Sequence, residues 1–235
     1  MRTHARARRL ILRVAENGQV RLTVPPRTPK SQIDAFLAKN GDWLHRNVIA
    51  AQEQHSKLCA AEPPEYLELA AVGERWRLER VERVGLASAR ATLRPSTSPD
   101  LFTLRVIFDP KRDEVALKVK TCVRRALVER AKVYYRSQLI PLAAEMGVEF
   151  KRLQVRSQRS VWGSCSSTGT ISLNLAGLFL KPELARYLCI HELAHLRHMN
   201  HSGAFWRLVQ SIEPTARSLD AELGGTHAVL PRWLW

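Results

Sequence analysis

Cysteine is scarce in this chain and scattered. Cys59, Cys122, Cys165 and Cys189 show no paired spacing, which argues against a zinc knuckle or a disulfide framework and leaves free thiols in a reducing compartment as the expectation. Long apolar runs are missing as well. The richest stretch, Ile171 to Leu180, is interrupted by Ser172 and Asn174 and falls far short of a membrane span. The N-terminal segment carries the positive charge of a signal peptide, but Leu10-Ile-Leu behind it is too short to be the apolar region of one. A cytoplasmic protein with no membrane contact is the expectation. Aromatic residues make up only 7% of the chain, few for a surface that stacks bases, and no DNA-reading motif is present.

Acidic residues are the other deficit. Asp plus Glu number 22 against 37 Lys plus Arg, a net charge of +15. Such an excess favours polyanions, nucleic acid above all, through counterion release. Outside Arg2 to Arg13 and the positions from Lys118 to Arg130, however, the basic residues are spread singly. Contact with nucleic acid is therefore expected to be non-specific, and the alternative is a solvated Arg-rich surface with no partner.

What the chain does contain is concentrated between Cys189 and His201. Within it lies His191-Glu192-Leu193-Ala194-His195, the metal-binding pattern of zinc-dependent hydrolases. Residues four apart on an α-helix lie about 40° from each other around the axis, so both imidazoles point the same way. Glu192 borders that face, placed to reach an activated water without being a ligand. Catalytic zinc commonly keeps three protein ligands, and His201 is the nearest candidate for the third. A continuous helix would carry His201 away from the other two, so the chain must turn first. Asn200, which tolerates the left-handed conformation, is expected to end the helix, with Ser202 and Gly203 opening the next one. Should His201 not serve, Glu222 and Glu213 are the next candidates. Shuffling this composition would produce the five-residue pattern in roughly one chain in fifty. The competing reading, an amphipathic helix with surface histidines, is weakened by the added His201.

Four segments together carry a resemblance to a known family. Trp162-Gly-Ser-Cys-Ser166, Ile171-Ser-Leu-Asn174, His191-Glu-Leu-Ala-His195 and Asn200-His-Ser-Gly-Ala-Phe-Trp206 resemble the YgjP-like metallopeptidases. These are bacterial predicted zinc peptidases similar to the WLM and SprT-like proteases. The resemblance implies that His191, His195 and His201 bind zinc and that Glu192 is catalytic. Similarity to SprT-like proteases, which act on proteins attached to DNA, also favours a nucleic-acid contact.

The chain is long enough for one large domain or two small ones. Arg9–Val14 and Gln19–Val24 read as strands around a Glu16-Asn17-Gly18 turn. A helix follows from about Lys30 to Lys57, with a possible break at Gly41-Asp42. Its stripe is Ile33, Phe36, Leu37, Trp43, Leu44 and Val48, and Trp43 is expected in the core. Further strands are expected within residues 67–83, turning at Gly73-Glu74, and at 91–94 and 101–108. A long helix runs from Pro110 to about Met146 and contains Pro141. Residues 151–160 read as a strand, and Trp162 to Asn174 as a hairpin turning at Thr168-Gly169. The hairpin's edge is a candidate substrate site, at Trp162, Gly163, Ser164 and Cys165, where an extended peptide can pair by main-chain hydrogen bonds. Lys181-Pro182-Glu183 opens the metal-site helix, and Glu213-Pro214 a last helix ending at Gly224-Gly225. Trp233 and Trp235 are expected to pack back onto the domain.

The expected architecture is α+β: a β-rich module with one helix (1–108), a zincin-like core with a long helix, a hairpin and an active-site helix (109–225), and a tail (226–235). The expected function is zinc-dependent peptide hydrolysis of a peptide or protein substrate with Glu192 as general base. His198, Tyr187 and Arg159 are candidates for stabilising the oxyanion. The alternatives are a nucleic-acid-associated protein with a closed, structural zinc site and a zinc hydrolase acting on a non-peptide amide.

Overall fold

The computed structural model describes residues 2–3, 7–15, 18–60, 62–112, 115–226 and 231–234. The chain forms two compact units, Met1–Ala61 and Glu62–Trp235.

In the first unit a three-stranded sheet has the order β1-β3-β2, with β1 at Arg2–Thr3, β2 at Ile11–Val14 and β3 at Val20–Val24. β2 and β3 are antiparallel, and β1 runs parallel to β3. Glu16 and Asn17 of the expected turn lie outside the described residues. Gly18 itself has φ 78°, the left-handed conformation that glycine reaches without a Cβ clash. Two helices follow, α1 at Lys30–Lys39 and α2 at Gly41–Ala60. They part at Asn40, whose side-chain amide donates to the Phe36 carbonyl at 2.7 Å. Leu22, Val24 and Ile33 form the core, with Leu10, Leu12, Phe36 and Leu37 packed around it. Trp43 departs from expectation at 41% exposed. Leu44 and Val48 of α2 are half-buried, and Trp43, about 100° round the helix from Leu44, falls outside their stripe.

The second unit begins with a four-stranded sheet of order β4-β5-β7-β6, formed by Tyr66–Leu69, Glu74–Glu82, Leu101–Phe108 and Arg90–Pro95 respectively. β5 and β7 are parallel, while β4 and β6 run antiparallel at the two edges. Its inner face is apolar, with Leu69, Trp76, Leu104 and Val106 fully buried. Across it runs α3, Val115–Met146, which buries Val123, Leu127, Ala131, Tyr135 and Leu139 completely. Arg130 of α3 donates twice to Glu74 Oε1, at 2.8 and 2.6 Å. This sheet lies within residues 62–108, which the sequence grouped with the N-terminal module. In the fold it packs in the same compact unit as the residues that follow.

A second sheet has the order β8-β10-β9, from Arg152–Arg156, Thr170–Asn174 and Gly163–Cys165. β10 pairs in parallel with β8 and forms the expected hairpin with β9. β8 ends at Arg156 and not near Ser160, because the chain beyond it is captured by Asn174. That buried amide donates to the carbonyls of Gln158 and Val161, at 2.5 and 2.7 Å, and accepts from the Ala176 N–H at 3.0 Å. The Tyr135 hydroxyl reaches the Asn174 carbonyl at 2.7 Å through space that a Cβ on Gly177 would fill. Three helices complete the unit: α4 at Pro182–Ala194, α5 at Gly203–Ile212 and α6 at Ala216–Gly225. Trp233 is buried, edge-on to Phe179, as expected of the tail; Trp235 lies outside the described residues. Among the described residues no helix is long and apolar enough to cross a membrane.

Candidate metal centre

Helix α4 is buried on nearly every side, through Leu184, Ala185, Leu188, Cys189, Ile190 and Leu193. Pro182 occupies its first turn, where no N–H is missed, and Glu183 lies beside its positive end. Past its exposed first turn, its C-terminal end opens outward again, and there His191 and His195 lie with ring centroids 5.0 Å apart. The helix then ends earlier than the sequence suggested. Tight bonds close it, Leu196 N–H to Leu193 O at 3.0 Å and Arg197 N–H to Ala194 O at 3.1 Å. Asn200 does not take up the left-handed conformation, since among the described residues only Arg27 does so outside glycine. The turn after Ala194 reverses the chain without it.

Ser202 then caps α5 by accepting from the Phe205 N–H, as the sequence implied. This return places the His201 ring 5.0 Å from that of His191 and 4.8 Å from that of His195. One ring nitrogen from each of the three lies within 4.8 Å of the others. Phe205, fully buried, underlies all three rings at 4.7 to 5.1 Å.

Hydrogen bonds on the far side of two rings settle which nitrogen faces inward. His195 Nδ1 is 3.0 Å from the His198 carbonyl, which can only accept, so Nδ1 carries the proton and Nε2 presents a lone pair. Tyr187 sits one turn before His191 on the same helix face. Its hydroxyl donates to Asp220 Oδ1 at 2.8 Å and lies 3.1 Å from His191 Nδ1. With its own proton committed to Asp220, the phenol oxygen accepts from His191 Nδ1–H, which leaves the His191 Nε2 lone pair inward. There it faces His201 Nε2 at 3.0 Å. Two such lone pairs repel unless a proton or a cation lies between them. Burial, reinforced by the neighbouring His195 and His201, pushes the His191 pKa down to about 4, against a smaller opposing pull from Asp220. Burial also lowers that of His195. Neutral imidazoles are what a metal requires of them, so the donor set fits a divalent ion.

Glu192 is 4% exposed, and its Oε2 has no hydrogen-bond partner among the described residues. Burial pushes its carboxyl up to about 8. Over it lies β9: a Cβ on Gly163 would collide with the Glu192 carboxylate, so glycine is what lets the strand and the carboxylate approach. Cys165 is held up at about 11 by burial and by the Glu192 charge, which keeps it a neutral thiol. It is not part of the nitrogen cluster. Trp162 is buried, and its indole N–H donates to the Leu223 carbonyl at 3.1 Å. The indole anchors the start of β9 to α6.

The other carboxylates considered in the sequence lie in ion pairs of their own, Glu222 with Lys181 at 2.8 Å and Glu213 with Arg186 at 3.1 Å. His198 contributes its carbonyl, and Tyr187 is fully buried behind His191. Arg159 is half-buried in the loop between β8 and β9. Sequence reasoning missed Asp220 and the organising role of Asn174. The spacing of four between Tyr187 and His191 was a usable signal for their pairing; nothing local marks Asp220.

Comparison with known proteins adds the family. Residues 8–225 match the profile described as YgjP-like, metallopeptidase domain. The chain belongs to the YgjP-like family. Membership in a metallopeptidase family implies a divalent metal, and the three histidines form a group that can hold one. The crystal structure of the metallopeptidase zymogen of Pyrococcus abyssi abylysin is similar at 29% identity, covering 38% of this chain and 90% of that chain with a TM-score of 0.36. No curated protein matches the chain in sequence.

Proposed function

We propose that this YgjP-like protein is a zinc-dependent peptidase in which His191, His195 and His201 hold the ion and Glu192 is the general base. The observation that carries the reading is the cluster of three imidazole nitrogens, one from each of His191, His195 and His201, beside the buried Glu192 next in sequence to His191, whose Oε2 has no partner among the described residues and which lies under the glycine of β9. Three imidazole ligands suit zinc and leave a fourth position for catalysis. When bound, zinc supplies Lewis-acid polarisation of the scissile carbonyl and lowers the pKa of water. Glu192 takes the proton of the attacking water and returns it to the leaving amine. Tyr187 and Asp220 hold His191 in orientation, and the His198 carbonyl does the same for His195.

The substrate is an unfolded or flexible protein segment laid along β9. β9 is an edge strand of its sheet, so the main chain of Gly163, Ser164 and Cys165 can pair with an extended peptide, while Trp162 fixes where that strand starts. The reading is tested by zinc content after dialysis. Wild type should retain one zinc per chain, and His191→Ala, His195→Ala and His201→Ala should each retain none. Full retention in His201→Ala would move the third ligand elsewhere.

A further inference from the structure

The four-stranded sheet of the second unit ends at β6, which among the described residues pairs with β7 alone. Ala91 and Leu93 of β6 stand opposite the fully buried Val106 and Leu104, and so belong to the face that α3 covers. The cover is incomplete. Between β6 and α3 lies a groove of about 490 Å³, with Ala91 and Leu93 on one wall and Cys122, Ala126 and Val133 on the other. A second hollow of about 400 Å³, which takes in Leu117, adjoins it at Cys122 and Arg125. Val133 is 65% and Leu117 46% exposed, so α3 holds large aliphatic side chains in water beside an unpaired strand edge. Exposed edges of this kind are normally blocked or covered.

The charges along the groove have one sign left over. Arg130 is committed to Glu74, and Glu129 pairs with Lys132 at 2.7 Å. On the face of β6 turned away from α3, Arg90 and Arg94 are exposed with no carboxylate within ion-pair distance among the described residues. A second copy of the chain is a poor occupant. Antiparallel pairing of β6 with β6 centred on Thr92 would set Arg90 of each copy against Arg94 of the other, and like charges across a ladder destabilise it.

We propose that this groove binds an extended protein segment of alternating apolar and acidic residues, which adds to the sheet as a fifth strand beside β6. Its main chain takes up the free edge of β6 over the length of that six-residue strand and stops at Pro95, which has no N–H to donate. Its apolar side chains, on the α3 face, fill the space under Ala126 and Val133, and its carboxylates, on the opposite face, meet Arg90 and Arg94 of β6. The site lies outside the metal centre and does not depend on the peptidase reading.

The probe is a blocked, fluorescent Glu-Val-Glu-Val-Glu-Val peptide, followed by anisotropy with the full-length chain, beside its Lys-Val counterpart. The acidic peptide should bind at low salt and weaken as salt rises, and the lysine peptide should bind at least tenfold more weakly. Arg94→Glu and Val133→Glu change exposed positions, so folding is not at stake. Each should reduce acidic-peptide binding by roughly tenfold or more. Equal binding of the two peptides, no binding of the acidic one, or indifference to Arg94→Glu would overturn the proposal. So would a dimer in sedimentation equilibrium that Val133→Glu dissolves, or a DNA duplex whose binding depends on Arg94 while the peptide does not bind.

Discussion

Replacing Tyr187 by Phe removes one oxygen and tests whether His191 is held in place from behind. That oxygen makes two contacts, 2.8 Å to Asp220 and 3.1 Å to His191 Nδ1, and the residue is fully buried. The Asp220 side chain is 44% exposed and regains water when the phenol is lost. His191 Nδ1–H is enclosed and does not. The fold should therefore lose only about 1–2 kcal/mol, the cost of one buried donor left unmet. The larger effect belongs to the metal, because the free ring loses the partner that fixes its tautomer and angle. Losses of this kind weaken metal affinity by about 10- to 100-fold, equivalent to about 1.4–2.7 kcal/mol. Competition with a zinc-binding dye measures affinity, and urea unfolding of the metal-free protein measures the fold. Asp220→Asn should weaken zinc similarly, and the double variant should fall short of the sum, since both act through one hydrogen-bond chain. Unchanged zinc affinity in Tyr187→Phe, or strict additivity with Asp220→Asn, would refute the orienting role.

Gly163→Ala should lose turnover and about 1–3 kcal/mol of stability, because its Cβ meets the Glu192 carboxylate in a packed interior; thermal unfolding and peptide hydrolysis read the two effects. In the metal-free protein, burial raises the Glu192 carboxyl from its ordinary value of 4.5 to about 8. A raised folded pKa means that stability from this group is fully present below about 4.5 and is lost as pH rises through about 8. Glu192→Gln should remove that slope, gaining roughly 3–5 kcal/mol on wild type between pH 4 and pH 9 in urea unfolding of metal-free protein. Duplex DNA should bind through the +15 charge, with affinity that falls steeply with salt and is the same for two unrelated sequences. Absence of binding at low salt would reduce the charge to a solubility feature.

The parts of the fold written in local spacing were legible. The His191/His195 pair follows from helical geometry alone, the β9–β10 hairpin from its Gly169 turn, and the α5 start from Ser202. Readings failed where a distant partner decides the outcome. β8 stops at Arg156 because Asn174 captures the following loop, and α4 stops at Ala194 through a tight turn braced by His195 and His198. Trp43 is exposed because it lies about 100° round the helix from the half-buried Leu44, outside the stripe. Asp220 supports His191 from the next helix but one, which no residue spacing encodes. The close approach of Gly163 to Glu192 likewise joins residues from two elements that only the packing brings together.

In the proposed mechanism, hydrolysis depends on one metal ion held by these histidines and on Glu192. Metal-free protein titrated with zinc, while hydrolysis of an unfolded protein substrate is followed by the release of new amino termini, tests both parts together. The rate should rise in proportion to zinc and level off at one equivalent per chain, and Glu192→Gln should take up the same equivalent without hydrolysis. A rate indifferent to zinc, or equal in Glu192→Gln, would contradict the account.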